Sequence, residues 1–576
     1  MIVSPNVEIA ARDGVVLRGD VARPDDSDRV PVPVLLQRSP YGAQRSGVAR
    51  LFGLPDEPWI ALPLAVGASG MTLEDVLGAG FAVVVVDCRG THRSDGTFRW
   101  MASEAKDGVD VVAWLNEQPW CSGEVMGFGG SYASATQFAT ILADPSTLCA
   151  ISPWVAPSRP DTDMAGRGGI PIYATTYNWA ANRVNDALVE AGLPARDDIP
   201  LAEGTDPAPL LSQHTLPELA AVLATAPEGA HVVDWVSHPT YDDYWRLAEY
   251  PEPALRRLAV PGFHVAGWYD LFLGGTLRNV TAMSRGPARE HQHLVIGPWT
   301  HVDQMGRIPV GHDFGPGSTL TGGGVPAMQL DFWREHGLGV RVGELPPVRL
   351  FVMGSDEWRD YSQWPVPDTR EVDLYLADSS LSPTVTEATG ATAVQHDPAD
   401  PAPAVGGQIL YGPPDFPGPH DQRPAEAHPG VVSFTTAPFS EAFEVVGPVL
   451  LRCWVSADAT DADLHAVLTD VAPDGTSRIL TDGVLRLSRR VGLDRVVPLV
   501  PGQPVEVEVD LWATANTFLQ GHSLRLNVAG ACFPRYVAAP DPVTLHVHHG
   551  REYPSRLVLP VTASTDAGRT SARALS

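Results

Sequence analysis

The chain has 576 residues, more than one compact core accommodates, so two or three domains are expected. Its composition, 44% hydrophobic and 19% charged, excludes wholesale disorder. Acidic residues outnumber basic ones by 68 to 40, a formal charge of −28; such a surface repels phosphate backbones and anionic lipid, which argues against nucleic acid and membranes as partners.

The first residues carry no basic stretch followed by an apolar run, and no apolar run anywhere is long enough to cross a bilayer. No signal peptide is expected, and the cytoplasm is the expected compartment. The five cysteines are scattered without a C-x-x-C pair and read as free thiols; neither a metal nor an organic cofactor is expected.

Taken in chain order, residues 33–37, 81–86 and 124–128 read as short strands buried on both faces, separated by helical segments, the pattern of a mostly parallel sheet covered by helices. From about 155 to 255 strand-like runs vanish and segments such as 173–190 and 216–225 read as helices. A helical insertion of this kind is a cap that shapes a substrate pocket. Strand runs return at 263–267 and 293–297. After about 346 the texture becomes many short β runs broken by Pro and Gly, with period-two alternation at 505–509 and 523–528. The stretch 379–430, rich in Pro, Gly and Asp, is expected to be largely loop. No internal repeat is present.

The chemistry centres on Gly127-Phe128-Gly129-Gly130-Ser131-Tyr132-Ala133-Ser134, which follows a strand and precedes a plausible helix. A tight strand-to-helix turn lifts a serine above the sheet edge, and small neighbours relieve the crowded backbone. The turn also aims helix N–H groups at a developing oxyanion. Ala133 stands where glycine is usual, and a serine favoured as a helix N-cap would explain the motif alone as well.

A serine nucleophile needs an imidazole, and the imidazole needs an acid. In an α/β-hydrolase these follow in the order Ser, acid, His, on loops after later strands. Asp270 ends the 263–267 run and His301 ends the 293–297 run, which makes Ser131, Asp270 and His301 the candidate triad. His264 and His293 lie inside strands, His92 comes too early, Asp87 reads as a structural partner of Arg89, and Asp303 as a solvated loop acid. Of the two oxyanion donors required, position assigns the Tyr132 N–H as one. The early loop 37–41 supplies the other; Pro40 has no N–H, so the Tyr41 phenol is the candidate, a packing role for Tyr41 staying open.

These residues resemble the bacterial cocaine esterase-like family of hydrolases, related to X-Pro dipeptidyl-peptidases and α-amino acid ester hydrolases. The resemblance spans nearly the whole chain. It is carried by Ser39-Pro40-Tyr41, Asp87-Cys88-Arg89-Gly90, Trp120-Cys121-Ser122-Gly123, Gly129-Gly130-Ser131-Tyr132, Gly267-Trp268-Tyr269-Asp270 and Gly297-Pro298-Trp299-Thr300-His301. In the second half Phe351-Val352-Met353-Gly354, Asp356-Glu357-Trp358-Arg359, Asp397-Pro398-Ala399-Asp400-Pro401 and Phe533-Pro534 add to it.

It implies an α/β fold: an α/β-hydrolase domain (1–154 and 256–345), an inserted helical cap (155–255) and a C-terminal all-β jelly-roll domain (346–576). It implies the same triad, with Tyr41 and the Tyr132 amide as oxyanion donors, and an acyl pocket of Trp179, Phe272, Leu410 and Tyr411. An aromatic box of this kind suits a benzoyl or similarly flat acyl group. Two departures fall on the pocket: an aromatic near Met164 is absent, and the loop from Tyr41 to Phe81 is longer than in the relatives.

The expected function is serine hydrolysis of small-molecule carboxylic esters through an acyl-enzyme, with a homodimer allowed. The alternatives are an X-Pro dipeptidyl-peptidase or an α-amino acid ester hydrolase or acylase. Either must bind a free α-ammonium with carboxylates; Asp186, Glu190, Asp197 and Asp198 keep that open. A non-catalytic binding protein using the jelly-roll face is the remote alternative.

Overall fold

The computed structural model describes residues 1–42, 66–67, 69–190, 212–301, 311–410 and 417–562. The first half is built on a ten-stranded sheet. Its strands in chain order are β1 (Ile2–Ala10), β2 (Val16–Arg23), β3 (Val32–Ser39), β4 (Ala82–Asp87), β5 (Cys121–Gly130) and β6 (Ala150–Trp154). A small cap hairpin follows, β7 (Gly166–Arg167) and β8 (Ile170–Pro171), and then β9 (Gly262–Tyr269), β10 (Gln292–Thr300), β11 (Val348–Val352) and β12 (Glu357–Tyr361). The spatial order is β1-β2-β4-β3-β5-β6-β9-β10-β11-β12. The run from β4 to β11 is parallel throughout, and antiparallel strands close both edges.

The run Ala82-Val83-Val84-Val85-Val86 explains why β4 lies inside the sheet. β-Branched side chains cover both faces, and every one is buried. One face packs on helices Leu73–Gly78 and Val325–Leu338 through Leu73, Val76, Phe332 and Trp333. The other packs on helices Glu104–Asn116 and Tyr132–Ala143 through Val111, Leu115, Phe138 and Ile141. Asp87, at the end of β4, accepts from Arg93 Nε at 2.9 Å. Arg89 is held instead by Asp107 and Asp13, so the pairing of Asp87 with Arg89 expected from their proximity in sequence does not form.

Strands β11 and β12 extend the first sheet, although the division at 346 drawn from sequence places both in the second domain. Leu294 and Ile296 of β10 register with Val348 and Leu350 of β11, so backbone pairing carries the sheet past that point.

The chain leaves the sheet after β6 and returns at β9. The described residues between contain mostly helices, among them Tyr173–Glu190, Leu216–Leu223 and His231–Ser237. None of the described helices is long and apolar enough to cross a membrane.

The second half is a β-rich domain with eleven strands in one sheet system. Phe443–Ala457 is the longest and pairs with Val505–Phe518, Val543–His549 and Arg556–Thr562. The stretch 379–430 is not all loop: Gly390–His396 forms a strand registered along its whole length with Val543–His549. Alternation of Ala391, Ala393 and Gln395 with partners facing the other way suffices for an edge strand even in Pro- and Gly-rich surroundings. One apolar cluster joins the domains, from Trp268, Tyr269 and Leu273 to Phe351, Leu480 and Leu511.

Candidate active site

Strands β5, β9 and β10 run parallel, so their carboxyl ends lie at one edge of the sheet. Ser131 follows β5 directly, with φ 58° and ψ −124°, a conformation that a residue with a Cβ adopts only under strain. Surrounding bonds hold it there. Its N–H donates to Trp154 O at 3.0 Å, and its carbonyl accepts from Ser134 N and Ala135 N at 3.0 and 3.1 Å. The preceding Gly129 has φ 114°, and a Cβ there would stand 2.8 Å from Gln37 Oε1 and 3.0 Å from Ala133 Cβ. The crowding inferred from the small-residue motif is thus a close approach of the elbow to its own helix and to β3.

Asp270 follows β9 in a tight turn, with its N–H on Gly267 O and its carbonyl accepting from Leu273 N. His301 follows β10, whose pairing with β9 is interrupted between Gly297 and Thr300. That irregularity turns the chain so that the imidazole reaches back over the sheet edge. His301 Nδ1 lies 2.7 Å from Asp270 Oδ1, and Nε2 lies 3.0 Å from Ser131 Oγ. Asp270 is fully buried and His301 nearly so. Phe272 meets the imidazole edge to face, ring centres 5.1 Å apart, which fixes its plane.

The Tyr41 hydroxyl stands 3.3 Å from Ser131 Oγ and accepts from Trp179 Nε1 at 3.4 Å. Its loop is pinned through Pro40 O, which receives Arg183 Nη1 at 3.1 Å and lies 2.9 Å from His92 Nε2. The Arg183 guanidinium also covers the Tyr41 ring at 5.0 Å. Tyr132 begins the helix, so its N–H has no carbonyl of that helix to bond and is available at the sheet edge. Its ring stacks on Trp179, and its hydroxyl donates to Glu104 Oε1 at 3.0 Å. Burial, with the Glu104 carboxylate adding to it, pushes this phenol well above the ordinary tyrosine range, so it stays neutral. Glu104 is in turn neutralised by the buried guanidinium of Arg38.

The other histidines weighed from sequence are engaged elsewhere. His264 Nε2 lies 3.0 Å from Gln292 Oε1, and His293 Nδ1 lies 3.0 Å from Pro346 O. Asp303, Asp197, Asp198 and Tyr411 lie outside the described residues.

Beside Ser131 opens a cleft of about 620 Å³, mouth included. Trp179, Phe272 and Leu410 line it, as the resemblance implies, and Met164 sits in its wall where an aromatic was expected. Among the described residues that line it, none is acidic. Asp186 is instead paired with Arg183 at 2.6 Å.

Three lining aromatics were not legible in sequence: Trp100, Trp235 and Tyr250. Trp100 and Trp235 meet edge to face at 5.1 Å, one from the loop after β4 and one from a cap helix. Neither sits in a motif, and only the fold brings them together.

A second arrangement escaped sequence reading as well. Asp482, buried in the β-rich domain, accepts from Arg167 of the cap hairpin at 2.8 Å and from Arg535, and His465 Nε2 lies 3.3 Å away. Arg167 also donates to Gln408 Oε1 at 3.3 Å, while Gln408 Nε2 donates to Trp268 O at 3.0 Å, two residues before Asp270. The cap, the β-rich domain and the strand that carries Asp270 are thereby tied through one carboxylate.

Residues 13–303 match the X-Pro dipeptidyl-peptidase (S15) family, and residues 341–558 match the X-Pro dipeptidyl-peptidase C-terminal non-catalytic domain. The chain is 33% identical to a cocaine esterase of a Rhodococcus species (strain MB1 Bresler) over 97% of its own length and 98% of the relative's. It is 25% identical to a putative serine esterase of Mycobacterium bovis, covering 84% of each. Its fold superposes on an α-amino acid ester hydrolase with a TM-score of 0.80 at 22% identity, over 97% of this chain and 96% of the other. The chain therefore belongs to the X-Pro dipeptidyl-peptidase (S15) family, and is a serine hydrolase with an α/β-hydrolase domain followed by a C-terminal β-rich domain.

Proposed function

We propose that the chain hydrolyses carboxylic esters of flat, apolar acyl groups, with Ser131, His301 and Asp270 as its triad. The observation that carries the substrate class is the cleft beside Ser131, walled by Trp179, Phe272, Leu410, Trp100 and Trp235 and free of acidic side chains among its described lining. An apolar acyl group gains by burial and ring contact there, whereas a free α-ammonium would lose its water without gaining a carboxylate. The relative named a cocaine esterase supports an ester as substrate.

In this mechanism the Ser131 hydroxyl donates its proton to His301 Nε2 as Oγ attacks the acyl carbonyl, and Asp270 stabilises the imidazolium through Nδ1–H. The Tyr41 hydroxyl and the Tyr132 amide donate to the tetrahedral oxyanion. His301 then protonates the leaving alcohol, and water activated by the same imidazole releases the acid. By role, 1–154 with 256–345 is catalytic, 155–255 is the cap, and 346–576 is the β-rich wall that contributes Leu410, its first two strands, β11 and β12, completing the catalytic sheet.

Tyr41→Phe is expected to lower kcat by roughly 10²–10³-fold with an unchanged thermal melt, because one oxyanion donor is lost while the ring stays. Near-wild-type turnover would remove Tyr41 from the reaction.

The substrate class is tested with aryl esters of graded acyl size beside X-Pro nitroanilides, each with a Ser131→Ala control. Ester turnover that rises from acetyl to aromatic acyl groups is expected. Nitroanilide turnover at comparable rates would replace the esterase reading with a peptidase one.

A further inference from the structure

Away from the cleft, at the amino end of β10, three side chains with metal-ligand chemistry converge. His291 closes the short 3-10 turn Arg289–His291 that leads into β10. Glu335 and His336 come from the last turns of the Val325–Leu338 helix packed on the same sheet. One donor atom from each of the three lies within 4.8 Å of the others. The two imidazoles meet edge to face with centres 5.4 Å apart. Phe332 packs on His336 at 4.6 Å and holds its ring towards His291.

None of the three side chains makes a hydrogen bond or ion pair with another described residue. His291 is exposed while Glu335 and His336 are half-buried, so the converging donors open to solvent on one side, where an ion can enter. The adjacent His293 is not among the donors that converge here, and its Nδ1 is bonded to Pro346 O.

We propose that His291, Glu335 and His336 bind one divalent transition-metal ion of the zinc class, which staples the helix to the entry of β10. Two imidazoles and one carboxylate suit zinc, nickel or copper, whereas calcium and magnesium require a cage of oxygens. Donors already within 4.8 Å need only small side-chain rotations to reach metal–nitrogen distances of about 2.1 Å, and water completes the coordination. The chain's charge of −28 raises the local concentration of cations. The ion takes no part in ester hydrolysis: nine strand residues, roughly 30 Å of β10, separate this end from His301. The sequence reading expects no metal, because a pair of histidines from a turn and a helix end leaves no local spacing signature.

Equilibrium dialysis of the tag-free full chain against zinc chloride, with magnesium chloride in parallel, tests the site. Saturable uptake of one zinc per chain is expected, with no matching uptake of magnesium. His336→Ala and the exposed-site variant His291→Ala should each weaken zinc uptake at least tenfold, and zinc should raise the Tm of the wild type only. Aryl-ester turnover of both variants should match the wild type, which reports an intact fold. Absence of saturable zinc uptake, or uptake unchanged in both variants through adventitious ions elsewhere, would overturn the proposal.

Discussion

Ser131→Ala is expected to lower the kcat for an aryl ester by roughly 10⁶-fold without altering the melting temperature. In the proposed mechanism the reaction has no other route to an acyl-enzyme, and what remains is catalysis by the proposed oxyanion donors and binding alone. Alanine inherits the strained φ of 58° and the backbone bonds to Trp154, Ser134 and Ala135, so the elbow keeps its shape. His301→Ala should cost a similar factor, and the double variant little more than either single one, because nucleophile and base act as a unit. Rates within tenfold of the wild type in Ser131→Ala would place the nucleophile elsewhere.

The second large effect concerns a residue that touches no substrate. Asp482→Asn leaves the guanidinium groups of Arg167 and Arg535 buried without a counter-charge, and roughly 3–5 kcal/mol of stability should be lost. Although burial opposes it, the neighbouring Cys532 and then Asp482 push His465 up to about 9. A histidine raised in the folded state contributes stability that is complete below its ordinary value near 6.5 and is lost as the pH rises through about 9. Asp482 itself, despite burial, is held well below the carboxylate range by Arg535 and Arg167, so its contribution is present above ordinary carboxylate values and lost in acid. Wild-type stability measured by denaturant midpoint should therefore decline between pH 6.5 and 9, and Asp482→Asn should be less stable throughout with a flatter decline. Turnover should fall too, since Arg167 and Gln408 support the strand end that carries Asp270. A variant as stable as the wild type at pH 7 would show that the cluster does not brace the domains.

Chain order explains why the candidate triad was legible. Parallel strands place their carboxyl ends together, so a serine, an acid and a histidine each just past a strand are brought to one edge whatever lies between them. The Asp270–His301 and His301–Ser131 contacts follow from that rule rather than from local sequence. The position of Tyr41 beside Ser131 was legible for a similar reason, as it follows β3, which pairs with the strand before Ser131.

What escaped reading has no local period. Strands β11 and β12 carry the same short, Pro-flanked texture as the domain after them, and only hydrogen bonding to β10 assigns them. Gly390–His396 hides among turn residues because an edge strand needs a partner more than a composition. Asp87 was matched to its near neighbour Arg89, yet the turn at 90–92 carries Arg93 to it instead. Arg167 and Asp482 meet across more than half the chain, and nothing near either residue announces the other.

The most direct test of the central claim is covalent. A fluorophosphonate probe added to the full chain should attach once, and peptide mass mapping should place the adduct on Ser131, with labelling abolished in Ser131→Ala and strongly slowed in His301→Ala. An adduct on another serine, or none while ester turnover persists, would contradict the assignment of Ser131 as the nucleophile.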